Sequence, residues 1–585
     1  MLLVTTAIEQ TWGHNQDILF LGEWCKLYNR KEIWSKRNFN VLPYHWNDRN
    51  KLKKDFYYLQ NLNKLIITEL TFELNELHGV NYSERYWNIL LGFWLNLFTA
   101  VVFDRWSMIK SAVDSGKVEK SFELDIPSDY EVANDATQFN NLIIDDLWNH
   151  SICTKLIKRW TEIPLEIVIH SSSFDFSNKF EISKTQEKTF YKRFLRIISD
   201  KVFSAFTSGD DVLMIGTYLP LFTEIELQIR LGQIPIKRLA LSVPRVKFNS
   251  DFRQWKLITN RQNDLIGNII RSLIPEQLPK VYLEGYNELN KMCEKLNWPS
   301  NPKFIFTSVS HFSDVGFQTW AAKKIEDGSK LITADHGGFG SNAFNASINY
   351  QLSISDASLS WGWDDTKYPN VKPIGILKTF GKKQLCERNG FGLMVQVAMP
   401  RYSFDLRAMP IGEQMLQYYN DQFLFFDCLP QKIQKKMLIR LYLSDYGWNQ
   451  KKRWKDRFPI VQLDEGKLPI TKLIEKSRIV ISTYNATTHI ESLSLNLPSL
   501  IFWNPNFWEL HSRAIPYYKR LKEVGIFHET PESAALKLNE IWDDVFGWWN
   551  QKEIQGAKND FCFFLAKEVK NPITVLKKVL TVAKK

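Results

Sequence analysis

The sequence predicts an α/β protein built from two Rossmann-like domains. Short apolar runs alternate with helical segments, which is typical of βαβ units and a parallel sheet. A second series of the same kind begins near Gly392. At 585 residues the chain also exceeds the size at which one hydrophobic core keeps growing. We therefore expect an N-terminal domain over 1–380 and a C-terminal domain over 381–585.

The N-terminal part opens as a strand followed by a loop and a helix. LLVTTA is apolar, and FLGEWCKLY (Phe20 to Tyr28) has the pattern of a helix entry. Apolar residues then recur at helical spacing from Lys53 to Val113, which predicts a helical insertion over about 53–205. Its longest apolar run, WNILLGFWLNLFTAVVF, is slightly short for a membrane span and contains two asparagines. We expect a buried helix there, with a membrane-touching helix as the alternative.

The remaining elements repeat the strand-then-helix order in both halves. In the N-terminal half the strands are DVLMIG, KFIFTSVS and KLITADHGG, each leading towards a helical segment or loop. In the C-terminal half they are GLMVQVAMP, MLIRLYLSD, FPIVQLDEG, SRIVIS and SLIFWNP. The chain ends in a helical tail from about residue 533.

The amino-acid composition limits the classes of binding partner and the cellular location that we expect. The net charge of +11 favours anionic ligands such as phosphates, nucleic acid or an acidic membrane face. No zinc-finger, RRM-like or basic-zipper pattern is present, so nucleic acid is not expected as a partner. The six cysteines are scattered without metal spacing, and the apolar N-terminus meets Glu9 before a signal-peptide core could form. These features predict a cytoplasmic protein, with loose peripheral contact at the inner face of the membrane left open.

IVISTYNATTHIESLSLNLPSLIFWNP, from Ile479 to Pro505, is the segment best suited to bind an anion. A strand leads through a polar loop into a helix, whose first N–H groups can receive phosphate oxygens. Thr487 and Thr488 could cap this helix or contact the phosphate. The carboxylate of Glu491 could accept hydrogen bonds from the two hydroxyl groups of a ribose. The competing interpretation is that the threonines are only caps and that Glu491 complements the helix dipole.

Distinctive motifs occur along nearly the whole chain, namely FLGEWC, ADHGGFGSN, SDASLSWGW, RLYLSDYGW, STYNATTHIESLSLNLPSLIFWNP, FGWWNQ and AKNDFCFFLA. Together they resemble a family of transferases found in bacterial O-antigen and surface-polysaccharide loci. The segment around Thr487 also resembles the donor-binding half of glycosyltransferases with the glycosyltransferase-B fold. It is similar as well to the corresponding half of polyol-phosphate transferases that build teichoic acids. The resemblance implies that the two Rossmann-like domains face a central cleft, as in the glycosyltransferase-B type, and that the second domain binds a nucleotide-activated donor.

His336, in ADHGG, follows a predicted strand at the sheet edge where open α/β proteins bind ligands. Gly337 and Gly338 would let the backbone approach phosphate or sugar without a Cβ atom. The resemblance implies that a loop of the first domain supplies a catalytic base or a donor contact. An imidazole of ordinary pKa, about 6.5, could take the proton of the acceptor hydroxyl. The alternative is a histidine that only stiffens the turn.

Other candidates are weaker, because each is at least as compatible with a structural role. Asp335 could orient the imidazole, although adjacent side chains on an extended backbone point apart. Glu23, after the first strands, is the second choice for a catalytic carboxylate. Further predicted substrate contacts are Arg401, Asp445, Tyr446 and Arg513.

The prediction for function is a glycosyltransferase that moves a sugar from a nucleotide-activated donor to a surface-polysaccharide or O-antigen precursor. Neither a Walker A motif nor a dinucleotide GxGxxG follows a strand, and no D-x-D motif is present. We therefore expect no cofactor beyond the donor and no metal. The alternatives are a CDP-polyol phosphotransferase of the teichoic-acid type and a non-catalytic glycan-binding scaffold of the assembly complex.

Overall fold

The computed structural model describes residues 1–168, 207–238, 243–257 and 263–582. These residues contain three parallel β-sheets. The strands are β1 Leu2–Val4, β2 Ile18–Phe20, β3 Phe39–Val41, β4 Lys120–Leu124, β5 Leu165–Val168, β6 Leu213–Met214, β7 Phe304–Thr307, β8 Lys330–Ala334, β9 Ala357–Ser360, β10 Val371–Pro373, β11 Phe391–Val395, β12 Met437–Arg440, β13 Gln462–Asp464, β14 Ser477–Ser482, β15 Ser499–Phe502 and β16 Phe527–His528.

Sheet 1 has the strand order β3-β2-β1-β4-β5, and sheet 2 the order β10-β9-β8-β7-β6. Sheet 3 has the order β13-β12-β11-β14-β15-β16, which is the 3-2-1-4-5-6 order of doubly wound dinucleotide-binding folds. Strands of the same sheet pair in parallel wherever they are neighbours. The predicted α/β class with parallel sheets is confirmed.

Helices of eight residues or more connect and cover these sheets. Among the described residues they are α1 Arg49–His78, α2 Glu84–Asp114, α3 Asp146–Trp160, α4 Leu221–Arg230, α5 Leu265–Gln277, α6 Tyr286–Glu294, α7 Val315–Glu326, α8 Ala346–Ile354, α9 Met415–Asp427, α10 Gln450–Arg457, α11 Thr487–Ser494, α12 Ile515–Glu523, α13 Pro531–Ile541, α14 Lys552–Leu565 and α15 Pro572–Val582.

Helix α2 joins sheets 1 and 2 into one packed body. It contacts α3, which packs on β4 of sheet 1, and also α7 and α8, which connect strands of sheet 2. A single hydrophobic cluster runs from β1 through α2 to α7. The helix is long and apolar enough to cross a membrane, but 83% of its most apolar window is buried inside the protein. The expected buried helix is therefore confirmed, since a helix that is apolar all round needs packing partners on every side.

The region predicted as one N-terminal domain with a helical insertion contains more strand than expected. The helical pair is present as α1 and α2, but β4 and β5 lie within 53–205 and extend sheet 1. Two of the five residues of β4 (KSFEL) are charged, so its apolar pattern is too weak to signal a strand. Residues 169–205 of the predicted insertion lie outside the described residues.

The loops at the carboxyl end of sheet 3 face both other sheets. Arg401 lies in the loop after β11, and its guanidinium donates a hydrogen bond to the carbonyl oxygen of Trp24, which follows β2 of sheet 1. After β14, Thr487 accepts a hydrogen bond from the backbone N–H of Gly338, which follows β8 of sheet 2. The C-terminal tail then returns to sheet 2, where α15 packs against α4. Strand-end loops from all three sheets thus meet around sheet 3, where parallel α/β proteins bind their ligands.

Candidate functional site

Two loops that the sequence singled out separately lie against each other. The first follows β8 and contains Gly338 and Ser341, and the second follows β14 and leads into α11. The backbone N–H of Gly338 lies 3.4 Å from Oγ1 of Thr487, and the hydroxyl of Ser341 donates to the side-chain oxygen of Asn485 at 2.8 Å. Both Ser341 and Asn485 are fully buried. A buried hydrogen bond therefore ties sheet 2 to sheet 3 at this point.

Gly338 is required by the closeness of the two loops. A Cβ atom at this position would lie 2.4 Å from the carbonyl oxygen of Ala486 and 2.4 Å from Cδ1 of Ile490. Backbone cannot yield to such a contact as a flexible side chain can, so any larger residue would push the loops apart. At Gly337 a Cβ atom would meet only side-chain atoms of Thr487 and Phe339 within 3.0 Å.

The start of α11 has no side-chain cap. Ala486 occupies the N-cap position, and no side chain accepts from the first helical N–H groups. The hydroxyl of Thr488 pairs with that of Tyr484 at 2.5 Å, and Thr487 contacts Gly338. The interpretation of both threonines as mere caps does not hold, and the uncapped helix start carries a partial positive charge that suits an anion.

Glu491 lies one turn into α11 and forms an ion pair with Lys378, at 2.7 Å between Oε1 and Nζ. Lys378 follows β10 of sheet 2, and its ammonium lies 5.8 Å from the centre of the Tyr218 ring. The carboxylate is therefore at the boundary between the two sheets, beside the helix start.

His336 lies at the same boundary, in an aromatic pocket. The centre of its ring is 5.3 Å from that of Phe312, 5.6 Å from that of Phe339 and 6.3 Å from that of Tyr218. Burial lowers the pKa of His336 to about 4, and the positive charges of Arg407 and Lys378 act in the same direction. The imidazole is therefore neutral at pH 7, which leaves it a nitrogen lone pair with which to accept a proton.

Asp335 is turned towards sheet 2 instead. Its carboxylate accepts hydrogen bonds from the indole N–H of Trp363, at 2.8 Å, and from the backbone N–H of Trp361, at 3.3 Å. Burial raises the pKa of Asp335 to about 7, with these two bonds acting against the shift. These hydrogen bonds hold the loop after β8 to the loop after β9. Asp335 therefore stabilises the loop that carries His336 and does not orient the imidazole.

Arg513 also supports this loop. Its guanidinium pairs with Asp365 at 2.5 Å, donates to the carbonyl oxygen of Gly340 at 3.1 Å and lies over the ring of Trp363 at 4.2 Å. These contacts occupy the guanidinium group that the sequence suggested as a substrate contact. The structural role left open for Arg513 describes the observed geometry.

Arg401 lies at a second junction, between sheets 1 and 3. It forms an ion pair with Asp146, at the start of α3, and donates to the carbonyl oxygen of Trp24. Its side chain is only 8% exposed. Glu23 belongs to this junction as well, where its backbone N–H donates to Glu413 at 3.2 Å and its side chain pairs with Lys26. Neither Arg401 nor Glu23 contacts the residues around His336.

Asp445 and Tyr446 follow β12 beside this second junction. The carboxylate of Asp445 accepts from the backbone N–H groups of Asn449 and Gln450, both at 2.7 Å, at the beginning of α10. Tyr446 has a left-handed backbone, with φ of 53°, and its ring stacks on that of Tyr442 at 6.1 Å. The structure thus divides the predicted site residues into two groups, and only the group around His336 adjoins α11.

Two residues of this group, Lys378 and Tyr218, were not identified from the sequence. Lys378 lies just before the predicted boundary between the two domains, at residue 380, where charged residues are common. Tyr218 follows DVLMIG directly, so its position at the end of a predicted strand was the available signal. No cluster of three or more His, Cys, Asp or Glu side chains able to hold a metal ion occurs in the part of the chain that the structure describes.

The solved structures that match this chain include two of low similarity, MurG and SsfS6. The crystal structure of MurG from Acinetobacter baumannii has 9% sequence identity and a TM-score of 0.31, and the match covers 63% of this chain and 99% of that one. The second is SsfS6, a glycosyltransferase of Streptomyces sp. SF2575, with 11% identity, a TM-score of 0.30 and coverage of 63% and 99%. Both similarities are too weak to argue from.

Sequence comparison is more decisive at the level of families. No curated protein matches the sequence. The model of the LIC12162 family transferase, however, matches residues 1–580. The chain therefore belongs to the LIC12162 family of transferases.

Proposed function

We propose that this transferase is a glycosyltransferase that moves a sugar from a nucleotide-activated donor to a surface-polysaccharide or O-antigen precursor. The observation that carries the proposal is the contact between the loop of His336 and the uncapped start of α11. It places a neutral imidazole and a phosphate-compatible helix end at one boundary between two parallel sheets. A transferase needs both, because a leaving diphosphate must be held while an acceptor hydroxyl loses its proton.

Each group then has one task in the reaction. The N–H groups at the start of α11 bind the phosphate oxygens of the donor, and Glu491 accepts hydrogen bonds from ribose hydroxyls. His336 takes the proton of the acceptor hydroxyl as its oxygen bonds to the anomeric carbon. The bond from that carbon to the phosphate oxygen breaks, and the nucleotide leaves with the electron pair.

The proposal includes a cytoplasmic location, in which nucleotide-activated sugars are available, and a reaction that uses no metal. Charge stabilisation of the leaving group then falls to the helix start and to cationic side chains of the chain itself. The net charge of +11 is consistent with an anionic donor.

A thermal-shift panel of CMP, CDP, UDP, GDP and dTDP tests this function. A ligand that binds only the native state raises the melting temperature, by an amount equivalent to about 2.7 kcal/mol at 100 times its Kd. We expect a shift with one nucleotide base, lost in Glu491→Ala and retained in His336→Ala. Glu475→Ala, which removes an exposed carboxylate at the other end of β14, is the matched control.

The outcome of the panel also separates the alternatives. Stabilisation by cytidine nucleotides alone would favour a CDP-activated polyol donor and call for product analysis. No shift with any nucleotide, in a protein that is folded by circular dichroism, would contradict the glycosyltransferase proposal and favour the scaffold.

A further inference from the structure

The segment that follows β10 positions the ammonium group of Lys378 at the candidate site. Strands β10 and β6 are the two edge strands of sheet 2. Lys378 nevertheless lies beside Tyr218, which follows β6, so the intervening segment crosses the carboxyl edge of the sheet. Leu377 packs with Leu219 in the same hydrophobic cluster, which fixes this crossing next to the ammonium group.

The ammonium group of Lys378 remains available for another ligand. It has three N–H donors, and it forms an ion pair with Glu491. The side chains of Lys378 and Glu491 are 32% and 23% exposed, so neither charge is sealed inside the protein. An ion pair that is partly open to water contributes little to stability, so its partners can be exchanged at small cost.

Tyr218 lies at the same corner and has an unusual backbone conformation. Its φ is 58°, in the left-handed region that bulky residues avoid, and the residue is 45% exposed. Such strain persists at sites where the position of the side chain matters. The ring lies next to both His336 and Lys378.

We propose that Lys378 is the side-chain cation that binds the phosphate group of the donor, and that it exchanges Glu491 for that phosphate. This inference rests on the proposed function and names a residue for it. When the ammonium moves to a phosphate oxygen at the start of α11, the carboxylate of Glu491 is released to accept hydroxyl groups of the same ligand. The ion pair of the free protein is thus a resting arrangement of two ligand-binding groups.

Calorimetric titration with inorganic pyrophosphate tests the exchange without assuming a nucleoside. We expect Lys378→Gln to weaken binding at least tenfold, because a charge-assisted hydrogen bond to phosphate is lost. Lys378→Arg should retain binding within a few-fold, since the charge is kept. Glu491→Gln should strengthen binding several-fold, because the ammonium no longer has a carboxylate partner. Lys383→Gln, an exposed lysine of the same segment, is the control and should leave the affinity unchanged.

The direction in which each substitution changes the affinity for pyrophosphate tests the proposal. Absence of pyrophosphate binding to the wild-type protein, equal affinity in Lys378→Gln, or weaker binding in Glu491→Gln would each overturn it. Repeating the nucleotide panel on Lys378→Gln separates the two proposals. Nucleotide binding that survives this substitution would overturn the role of Lys378 alone, whereas pyrophosphate binding without any nucleotide response would contradict only the nucleotide-activated donor.

Discussion

The left-handed backbone of Tyr218 predicts an unusual balance between stability and function. In most positions, replacing a large aromatic residue with glycine is costly. Here glycine relieves strain of about 1–2 kcal/mol and loses a similar amount through its greater chain entropy. We expect Tyr218→Gly to change the free energy of unfolding by less than about 1 kcal/mol while weakening the nucleotide shift. Denaturant unfolding and the thermal-shift panel measure the two effects.

Tyr57→Gly provides the comparison. Tyr57 is also about half exposed, but it lies within α1, where glycine has no strain to relieve. We expect it to destabilise the protein by roughly 0.5 kcal/mol, from helix propensity, and to leave nucleotide binding unchanged. A loss above about 2 kcal/mol in Tyr218→Gly would mean that packing of its ring, rather than ligand contact, maintains the strained conformation.

Sequence patterns located some site residues and missed others for identifiable reasons. His336 and Thr487 lie in or just after the loops that follow apolar runs, so their positions near strand ends could be predicted, and the structure brings the two loops together through Gly338 and Thr487. Asp335 and Arg513 adjoin the site but bond to Trp363 and Asp365, which are distant in sequence. Such partners depend on the relative placement of loops, which periodicity does not specify.

At the scale of elements, Gly338 controls how closely the loop after β8 approaches α11. Gly338→Ala would place its Cβ atom 2.4 Å from a backbone oxygen, so the two loops must separate. We expect a loss of stability of about 1–3 kcal/mol, typical of overpacking, and loss of the nucleotide shift. Chemical denaturation and the nucleotide panel measure these effects.

Gly556→Ala is the matched substitution. Gly556 lies within α14, and a Cβ atom there would have no neighbour within 4 Å. This variant should gain up to about 1 kcal/mol from helix propensity and bind nucleotide normally. If Gly338→Ala were as stable and as active as wild type, the close contact between the two loops would not be needed for binding.

Element prediction succeeded where patterns were long and failed where they were short. Helices α1 and α2 extend over 30 and 31 residues, so their periodicity was clear. Strand β5 has four residues of which two are exposed, and β4 contains two charges. These strands are specified by pairing with β1 and with each other, which is a long-range effect.

At the scale of the whole molecule, buried histidines predict how stability depends on pH. Burial lowers the pKa of His78, His150 and His336 to about 4 and that of His311 and His489 to about 3. In the unfolded chain these groups titrate near 6.5. Between pH 6.5 and 4 the unfolded state therefore binds more protons, and stability falls as the pH is lowered.

Carboxyl groups in buried or half-buried positions act in the opposite direction. Burial raises the pKa of Asp335 to about 7 and that of Asp421 to about 6, so below these values the folded state holds the extra protons. Their contribution to stability is present at low pH and is lost as the pH rises through the folded pKa. The pKa values of further histidines (His45, His511 and His528) are also lowered, and those of further carboxyl groups (Glu73, Asp211 and Glu413) are also raised. Because the histidines with a lowered pKa outnumber the carboxyl groups with a raised one, we expect the melting temperature to decrease from pH 7 to pH 5.

His78→Phe isolates the histidine contribution to this pH dependence. The ring of His78 stacks on Tyr286 at 4.0 Å, a contact that phenylalanine can keep, and its hydrogen bond to the carbonyl oxygen of Tyr282 is lost at every pH. The variant has one fewer group that takes up a proton on unfolding, so its stability should change less between pH 7 and pH 5, by up to about 1.4 kcal/mol per pH unit. Denaturant unfolding at the two pH values measures the difference. An equal or steeper dependence in His78→Phe would mean that His78 is already protonated in the folded protein and that its burial does not contribute to acid sensitivity.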